Sequence, residues 1–276
     1  MRRATVAVAV LVLLAGCNGF GGGGGATPTD TLTPAPIVTP SPTPEDTSLA
    51  PGVEATGITD LDALTTAHRQ AALNRSYTWN ERTRLQSRIG NTSATPNRNQ
   101  TVYFEDATHY YRVTSRLVRR VNSRLRYFPG YARYANGSVM FTRWVPMGSG
   151  TIRYVRQPVR PTDRRFAAFA TSALWKYLSE GDAEVSVVLV DGRRNYAVTV
   201  TDNPLPQVNA TNYTARAVIA PDGFVRSLNV TYVGTVNAAR VRGHYSFAYT
   251  AVNATTVPDP DWLQVARANA TNGTFP

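Results

Sequence analysis

The sequence predicts an α+β domain in which two or three helices cover a large curved antiparallel sheet, a half-barrel, placed after a disordered N-terminal stalk. Three observations predict this fold class. Most of the chain beyond residue 54 alternates apolar and polar residues with the period of a strand. A few shorter stretches have helical periodicity instead, and dipeptides typical of tight turns separate several of the alternating runs.

The helical periodicity predicts two longer helices and one short one. The first spans residues 61–73, with Thr59 as its capping residue. Its predicted apolar stripe comprises Leu61, Leu64, His68 and Ala71. The second follows Pro161, with Thr162 and Asp163 in its cap and first turn, and ends at Gly181. Residues 261–268 predict a short C-terminal helix.

Strands and hairpins account for most of the remaining domain. Tyr245, Phe247 and Tyr249 alternate with polar or small residues and therefore share one strand face. A longer strand is predicted over residues 110–121. Tight hairpins need residues that tolerate positive φ, and three dipeptides of this kind lie between alternating runs: Asn136-Gly137, Asp191-Gly192 and Asp222-Gly223.

The first residues predict export and lipid attachment. Arg2 and Arg3 precede an apolar stretch too short to span a bilayer, so residues 1–16 are interpreted as a signal peptide. The sequence Leu14-Ala15-Gly16-Cys17 resembles a lipobox, in which the cysteine is acylated and becomes the new N-terminus. The alternatives are a secretory signal with a chance cysteine and, for the export route, a twin-arginine signal.

A stalk is predicted between this cysteine and the domain. Residues 17–53 are rich first in glycine and then in threonine and proline, a composition that buries too little apolar surface to fold. The stalk is either O-glycosylated on its threonines or an unmodified linker. Residues 54–276 then form a single domain on the outer face of the cytoplasmic membrane, held there by the lipid on Cys17.

The order of elements resembles a known group of proteins. The residues that carry the resemblance are the helix at 61–73 followed by Ser76-Tyr77-Thr78-Trp79, the helix ending in Glu180-Gly181-Asp182, and the hairpin Ala220-Pro221-Asp222-Gly223-Phe224. This order, from Thr59 to Ala268, resembles archaeal surface lipoproteins of unknown role and, more distantly, the lipoprotein-carrier superfamily. The resemblance implies a half-open barrel that holds acyl chains on its concave face, and it transfers no site residue.

Ten Asn-x-Ser/Thr sequences are candidate N-glycosylation sites, as expected for an exported surface. They begin at Asn74, Asn91, Asn99, Asn136, Asn209, Asn212, Asn229, Asn253, Asn269 and Asn272.

The positive charge is concentrated in one segment. The net charge is +11, and residues 108–165 contain thirteen arginines and one acidic residue. Arg112, Arg116 and Arg120 share one face of the predicted strand and are candidate contacts for anionic lipid headgroups or acidic envelope polymers. The alternative is a solvated, arginine-rich face. Export disfavours nucleic acid as the partner.

The sequence indicates neither catalysis nor a cofactor. His68, His109 and His244 have no metal-ligand partner at local spacing, and His68 is interpreted as a core histidine. The motifs of serine hydrolases, phosphate-binding loops and zinc proteases are absent from the sequence. Glu180, Asp182 and Glu184 are either calcium ligands or, more simply, solvated acids.

Two functions follow from these observations. The first is a membrane-anchored lipoprotein that binds a hydrophobic or amphipathic ligand, such as lipid, between its sheet and helices. The alternative is a structural or adhesive surface lipoprotein that contacts anionic polymers through its arginine-rich face. No enzymatic activity is predicted.

Overall fold

The computed structural model describes residues 48–89, 92–94, 97–115, 117–121, 124–128, 130–146, 149–159, 165–202, 205, 208–236 and 239–273. The described helices are α1 (Leu61–Leu73), α2 (Arg165–Leu178) and α3 (Leu263–Asn269). The described strands, in chain order, are β1 (Ser48–Ala50), β2 (Val53–Glu54), β3 (Gly57–Ile58), β4 (Tyr77–Ile89), β5 (Thr92–Ala94), β6 (Asn97–Phe104), β7 (His109–Thr114), β8 (Leu117–Val121), β9 (Arg124–Phe128), β10 (Tyr131–Asn136), β11 (Val139–Trp144), β12 (Arg153–Pro158), β13 (Asp182–Val190), β14 (Arg193–Thr201), β15 (Asn209–Ile219), β16 (Val225–Val236), β17 (Ala239–Thr250) and β18 (Thr271–Asn272).

One large sheet dominates the domain. Its strands follow the order β13, β14, β15, β16, β17, β4, β6, β7, β10, β11, β12, β18, and β5 pairs with β4 beside this path. Neighbouring strands are antiparallel except for β12 and β18, which pair in parallel. The sheet is not closed, since β13 and β18 end the order at opposite edges. The predicted α+β fold with a large, open antiparallel sheet is therefore confirmed.

Helices α1 and α2 cover one face of this sheet, which we call the inner face. Phe169 of α2 stacks on Trp79 of β4 with ring centres 5.8 Å apart, and Tyr177 of α2 stacks on Tyr245 of β17 at 4.9 Å. The Tyr213 hydroxyl donates a 2.6 Å hydrogen bond to the Tyr177 carbonyl. Aromatic rings contribute both large buried area and preferred stacking geometry, so α2 is fixed across the centre of the sheet.

Helix α1 is attached to the same face through a buried histidine. His68 is 0% exposed, and its Nδ1 accepts a 3.1 Å hydrogen bond from the backbone N–H of Val225. Its Nε2 lies 3.3 Å from the Tyr249 hydroxyl, and its ring stacks on Phe224. The interpretation of His68 as a core histidine is confirmed, because both ring nitrogens have protein partners.

The predicted cap of α1 is off by one residue. The side chain of Asp60, not of Thr59, accepts a 2.9 Å hydrogen bond from the N–H of Ala63. Aspartate at this position satisfies a free amide of the first turn and carries a charge that favours the positive end of the helix dipole. Helix α2 begins at Arg165, and its predicted cap, Thr162 and Asp163, lies outside the described residues.

A second, smaller core lies on the opposite, outer face. Trp262 and Leu263, at the start of α3, pack with Ala132 and Tyr134 of β10 and Phe141 of β11. The Tyr134 hydroxyl donates a hydrogen bond to the Asp259 carboxylate. Strands β7, β10 and β11 are therefore covered on both faces.

The prediction of one strand over residues 110–121 is wrong. Strand β7 ends at Thr114, and β8 pairs with β9 in a separate two-stranded sheet. The cause is local: the Ser115 hydroxyl accepts a 2.9 Å hydrogen bond from the Asn99 N–H, and the Ser115 N–H donates to the Asn99 carbonyl. A serine side chain that bonds the backbone in this way competes with continued strand pairing.

The boundary with the predicted stalk also differs from the expected one. Strands β1, β2 and β3 form a small sheet, and Val53 is 0% exposed. Residues 48–53, the last part of the segment predicted as a linker, thus belong to this small sheet and its turn. The three predicted turns are confirmed by positive φ at Gly137, Gly192 and Gly223, and Asp191 also has positive φ, as a tight two-residue hairpin requires.

Candidate functional site

A group of polar side chains lies on the otherwise apolar inner face, and we call it the inner polar cluster: Glu81, Arg98, Gln100, Arg112 and Thr114. Strand alternation places them there. In β6, Arg98 and Gln100 lie on the same side as Val102 and Phe104, which are buried. Sheet register then aligns Glu81 of β4 with Gln100 of β6, and Gln100 with Thr114 of β7.

The centre of the cluster is the side-chain oxygen of Gln100. It accepts hydrogen bonds from Arg112 Nε at 3.1 Å and from a terminal nitrogen of Arg112 at 2.6 Å. It also accepts from Arg98 at 3.0 Å and from the Thr114 hydroxyl at 3.2 Å. Two guanidinium groups therefore converge on one neutral oxygen, and these donors fix the orientation of the amide.

The carboxylate of the cluster is engaged elsewhere. Glu81 accepts a hydrogen bond from the Tyr245 hydroxyl of the neighbouring strand β17. Burial raises the pKa of the Glu81 carboxyl above its usual range, against the opposing effects of Arg98, that hydrogen bond and Arg112. Burial likewise lowers the pKa of the Arg112 guanidinium. The cluster thus places one carboxylate beside two guanidinium groups.

Aromatic rings enclose the Arg112 guanidinium. Its carbon lies 4.8 Å from the ring centre of Phe169 on α2 and 5.1 Å from that of Tyr131 on β10. Such cation–π contacts stabilise a cation out of water, and Arg112 is only 8% exposed. The helix that covers the sheet therefore also covers the charge.

Part of the inner face is accessible to solvent, and we call this part the inner rim: Leu85, Arg98, Tyr131, Trp144 and Tyr232, all half-buried. Register places these positions in two groups. Leu85 and Tyr232 both pair with Gly243, and Arg98 pairs with Thr83, one inner-face position from Leu85. Tyr131 pairs with Trp144 on the other side of the inner polar cluster. The rim thus presents aromatic and aliphatic surface beside a guanidinium.

The predicted anionic contacts do not lie together on an exposed face. Arg112 is buried on the inner face, because its neighbours Gln100 and Phe169 are brought to it by other elements of the fold. Arg116 lies outside the described residues, and for Arg120 the structure describes only the backbone, in β8. The expectation of one solvated arginine face is therefore wrong for Arg112.

The candidate glycosylation sites fall on the surface wherever the structure describes them. Nine of the ten asparagines are described, and each of the nine is exposed; Asn91 lies outside the described residues. The lipobox residues Leu14, Ala15, Gly16 and Cys17 lie outside them as well. Glycosylation and acylation remain predictions.

Within the described ranges, no three histidine, cysteine or acidic side chains come together in a group that could hold a metal ion. Glu180, Asp182 and Glu184 are exposed. His109 instead forms a local contact, with its Nδ1 2.9 Å from the Asp106 carboxylate. Of the helices in the described part of the chain, none has the length and apolar character needed to cross a membrane.

Sequence reasoning missed Glu81, Arg98 and Gln100. A signal was present, because Arg98 and Gln100 continue the alternation that Val102 and Phe104 establish in β6. The pattern itself, however, gives no reason to bury a polar pair. The reason lies on two other strands, where Arg112 and Thr114 supply the hydrogen-bond partners.

Comparisons with known proteins find similarity at the level of solved structures only. No protein-family model matches the chain, and no curated protein matches it. A DUF1329 family protein from Desulfovibrio piger aligns at 10% identity over 76% of this chain and 98% of its own, with a TM-score of 0.21.

Two further solved structures align in a comparable way. A LolA superfamily protein from Nitrosomonas europaea aligns at 8% identity over 72% of this chain and 95% of its own, with a TM-score of 0.22. A domain described as an outer membrane lipoprotein-sorting protein, from Vibrio parahaemolyticus, aligns at 8% identity over 74% and 97%, also with a TM-score of 0.22. Similarity at these scores assigns neither ligand nor activity to this chain.

Proposed function

We propose that this protein is a membrane-anchored, extracytoplasmic lipoprotein whose domain binds an amphipathic, lipid-like ligand on the inner face of its sheet. The observation that carries the proposal is the inner rim. There, Leu85 and Tyr232 leave apolar surface half-exposed near Arg98, and Tyr131 and Trp144 do so on the other side of the inner polar cluster. Pockets for small amphipathic molecules combine mostly apolar lining with a few placed polar groups.

The arrangement of the two helices supports the same proposal. Helix α2 fills the centre of the inner face with Phe166, Phe169 and Tyr177, so a bound alkyl chain lies along the rim. The role of α2 in this arrangement is to form one wall of the site. The lipid on Cys17 ties the domain to the membrane from which such a ligand comes.

Tryptophan quenching tests where an alkyl chain binds. A bromine-labelled long-chain alcohol quenches only tryptophans that it approaches closely. Trp79 and Trp144 lie on the inner face, whereas Trp175 is 44% exposed on α2 and Trp262 belongs to the outer core. All quenching measurements use the full-length chain with Cys17→Ser, so that no covalently attached acyl chain competes for the site.

Two matched variants then separate the faces. In Trp175→Phe/Trp262→Phe, which keeps the inner-face tryptophans, we expect saturable quenching. In Trp79→Phe/Trp144→Phe, which keeps the other pair, we expect little quenching. Absence of saturable quenching in the first variant, or equal quenching in both, contradicts binding on the inner face.

A further inference from the structure

The inner polar cluster contains more positive than negative charge. On strands β4, β6, β7 and β10, register places Arg98, Arg112 and Arg133 on the inner face together with one acidic residue, Glu81. Arg112 and Arg133 are direct cross-strand neighbours. Like charges directly opposite each other destabilise a sheet, and buried charge requires compensation. The inner polar cluster itself contains two guanidinium groups, those of Arg98 and Arg112, and one carboxylate, that of Glu81.

Hydrogen-bond donors accumulate at the same place. Gln100 and Trp79 are each 1% exposed, yet Gln100 Nε2 and Trp79 Nε1 have no hydrogen-bond partner within the described part of the chain. The hydroxyl of Thr142, which is 0% exposed, lacks a partner there as well. Buried polar groups in native proteins are nearly always satisfied. The donors of Gln100 and Trp79, on the neighbouring strands β6 and β4, therefore call for a shared explanation.

Sheet register brings these groups into one row. Trp79 aligns with Val102, Val102 with Arg112, Arg112 with Arg133, and Arg133 with Thr142. Gln100 lies one inner-face position along β6 from Val102 and holds Arg112. Adjacent strands are about 5 Å apart, so Trp79, Gln100 and Arg112, on the successive strands β4, β6 and β7, are within reach of one small, multiply charged group. Thr142, on β11, lies too far along the sheet to share it.

We propose that one part of this row, formed by Trp79, Gln100 and Arg112 with the adjacent Arg98, binds the anionic headgroup, a phosphate monoester or carboxylate, of the amphipathic ligand whose alkyl chain lies along the inner rim. The inference rests on the proposed function and adds to it the chemical class of the headgroup. The geometry requires an acceptor, because the unpartnered amide and indole groups are donors. It favours an anion, because guanidinium groups bind phosphate and carboxylate oxygens through charge-assisted hydrogen bonds.

The test compares dodecyl phosphate with dodecanol, which have equal alkyl chains. Each displaces the bromine-labelled alcohol from the full-length Cys17→Ser chain, and recovery of tryptophan fluorescence gives its affinity. We expect dodecyl phosphate to bind at least about tenfold more tightly, as charge-assisted hydrogen bonds predict. Inorganic phosphate, tested in parallel, displaces the probe poorly if the site takes an alkylated headgroup. Displacement by inorganic phosphate as effective as by dodecyl phosphate contradicts that assignment.

Variants assign the preference to the cluster. Arg112→Gln lowers the affinity for dodecyl phosphate to that for dodecanol measured in the same variant. Arg98→Gln changes a half-buried and therefore more accessible residue of the cluster, and it reduces the same preference. It replaces Arg112→Gln as the test variant if that variant fails to fold. The matched control is Arg84→Gln on the exposed outer face of β4, which removes one positive charge and keeps the preference.

The outcomes distinguish this inference from the proposed function. If dodecanol binds but dodecyl phosphate binds no better, the headgroup assignment is wrong while the inner-face site stands. If the probe itself does not bind and neither compound displaces it, the proposed function and the headgroup assignment are both wrong. If Arg84→Gln removes the preference as fully as Arg112→Gln, long-range charge and not the cluster is responsible.

Discussion

The guanidinium of Arg112 lies 4.8 Å from the ring centre of Phe169, so a residue on β7 and a residue on α2 are joined by a cation–π contact. We predict a coupling of about 1 kcal/mol between them, the size expected for a desolvated cation over an aromatic ring. The measurement is a double-mutant cycle of Arg112→Gln and Phe169→Leu, with urea unfolding as the readout.

Phe166→Leu is the matched control for this cycle. Phe166 is one turn away on α2 and packs against Phe104 and Tyr110. Its replacement destabilises the core but couples little with Arg112→Gln. Equal coupling for both phenylalanines indicates a general loosening of α2 and contradicts a specific contact.

Stability is predicted to fall in mild acid because of His68. Burial, aided by the charge of Arg75 and opposed by Asp222, lowers the pKa of His68 from 6.5 to about 4. Between these values the unfolded chain binds the proton and the folded domain does not. The stabilising effect of neutral His68 is therefore complete above pH 6.5 and is lost as the pH falls toward 4.

The expected loss is on the order of 3 kcal/mol across that window. Urea unfolding at several pH values measures it. His68→Gln flattens the dependence in this window, and His109→Gln, at the half-buried first residue of β7, is the control for loss of a histidine outside the core. An unchanged slope in His68→Gln assigns the acid sensitivity to other groups.

Substitution by alanine is predicted to destabilise the domain to different extents at two glycines of the inner face. A Cβ at Gly234 lies 2.4 Å from the backbone carbonyl oxygen of Asn209, where β15 has a bulge. A Cβ at Gly243 lies 2.0 Å from the Tyr232 ring, which can rotate away. We expect Gly234→Ala to cost about 3 kcal/mol and Gly243→Ala about 1 kcal/mol, because a backbone clash has no rotamer that relieves it.

Chemical denaturation of both variants, with Gly273→Ala as the control, measures these costs; an added Cβ at Gly273 meets nothing within 4 Å. A larger cost at Gly243 than at Gly234 shows that the Tyr232 ring is held rigidly and does not rotate away from the added Cβ.

Membrane attachment is predicted to depend on Cys17. Cys17→Ser removes the sulfur that accepts the lipid, so the protein is released from the membrane fraction or remains as unprocessed precursor. Fractionation followed by immunoblotting and mass measurement of the N-terminal peptide detects both. Asn18→Ser, next to the lipobox, leaves attachment unchanged. Retention of Cys17→Ser on membranes at the wild-type level, in processed form, refutes the lipobox.

The strands and turns of the sheet can be predicted from the sequence, because each is defined by residues that lie close together along the chain. Tyr245, Phe247 and Tyr249 alternate along one strand, and each is buried. Asp191 and Gly192 adopt the positive φ that their residue types tolerate. Errors arose where a side chain replaced the expected backbone pattern, as at Ser115, which ends β7 early.

The candidate site is harder to predict from the sequence, because the burial of its residues depends on partners from other strands. An arginine at an alternating position indicates an exposed face unless something neutral accepts its hydrogen bonds. For Arg112 that partner is Gln100, on the neighbouring strand, and its cover is Phe169, on a helix that begins at residue 165. Neither contact follows from spacing along the chain, so only the folded topology places Arg112 inside.

The outer core under α3 has a consequence for how the inner face binds. Strand β7 directs Tyr110 and Arg112 inward under α2, while Tyr111 on its other side packs against Trp262. Local opening of β7 must break its contacts with α2 on one face and with Trp262 on the other. We therefore expect the β7 amides to exchange hydrogen only through global unfolding. The amides of edge strand β13, where Leu189 is 74% exposed, exchange through local opening. Arg112 is thus held in position by the fold itself, so we expect the proposed headgroup binding to involve little loss of conformational entropy.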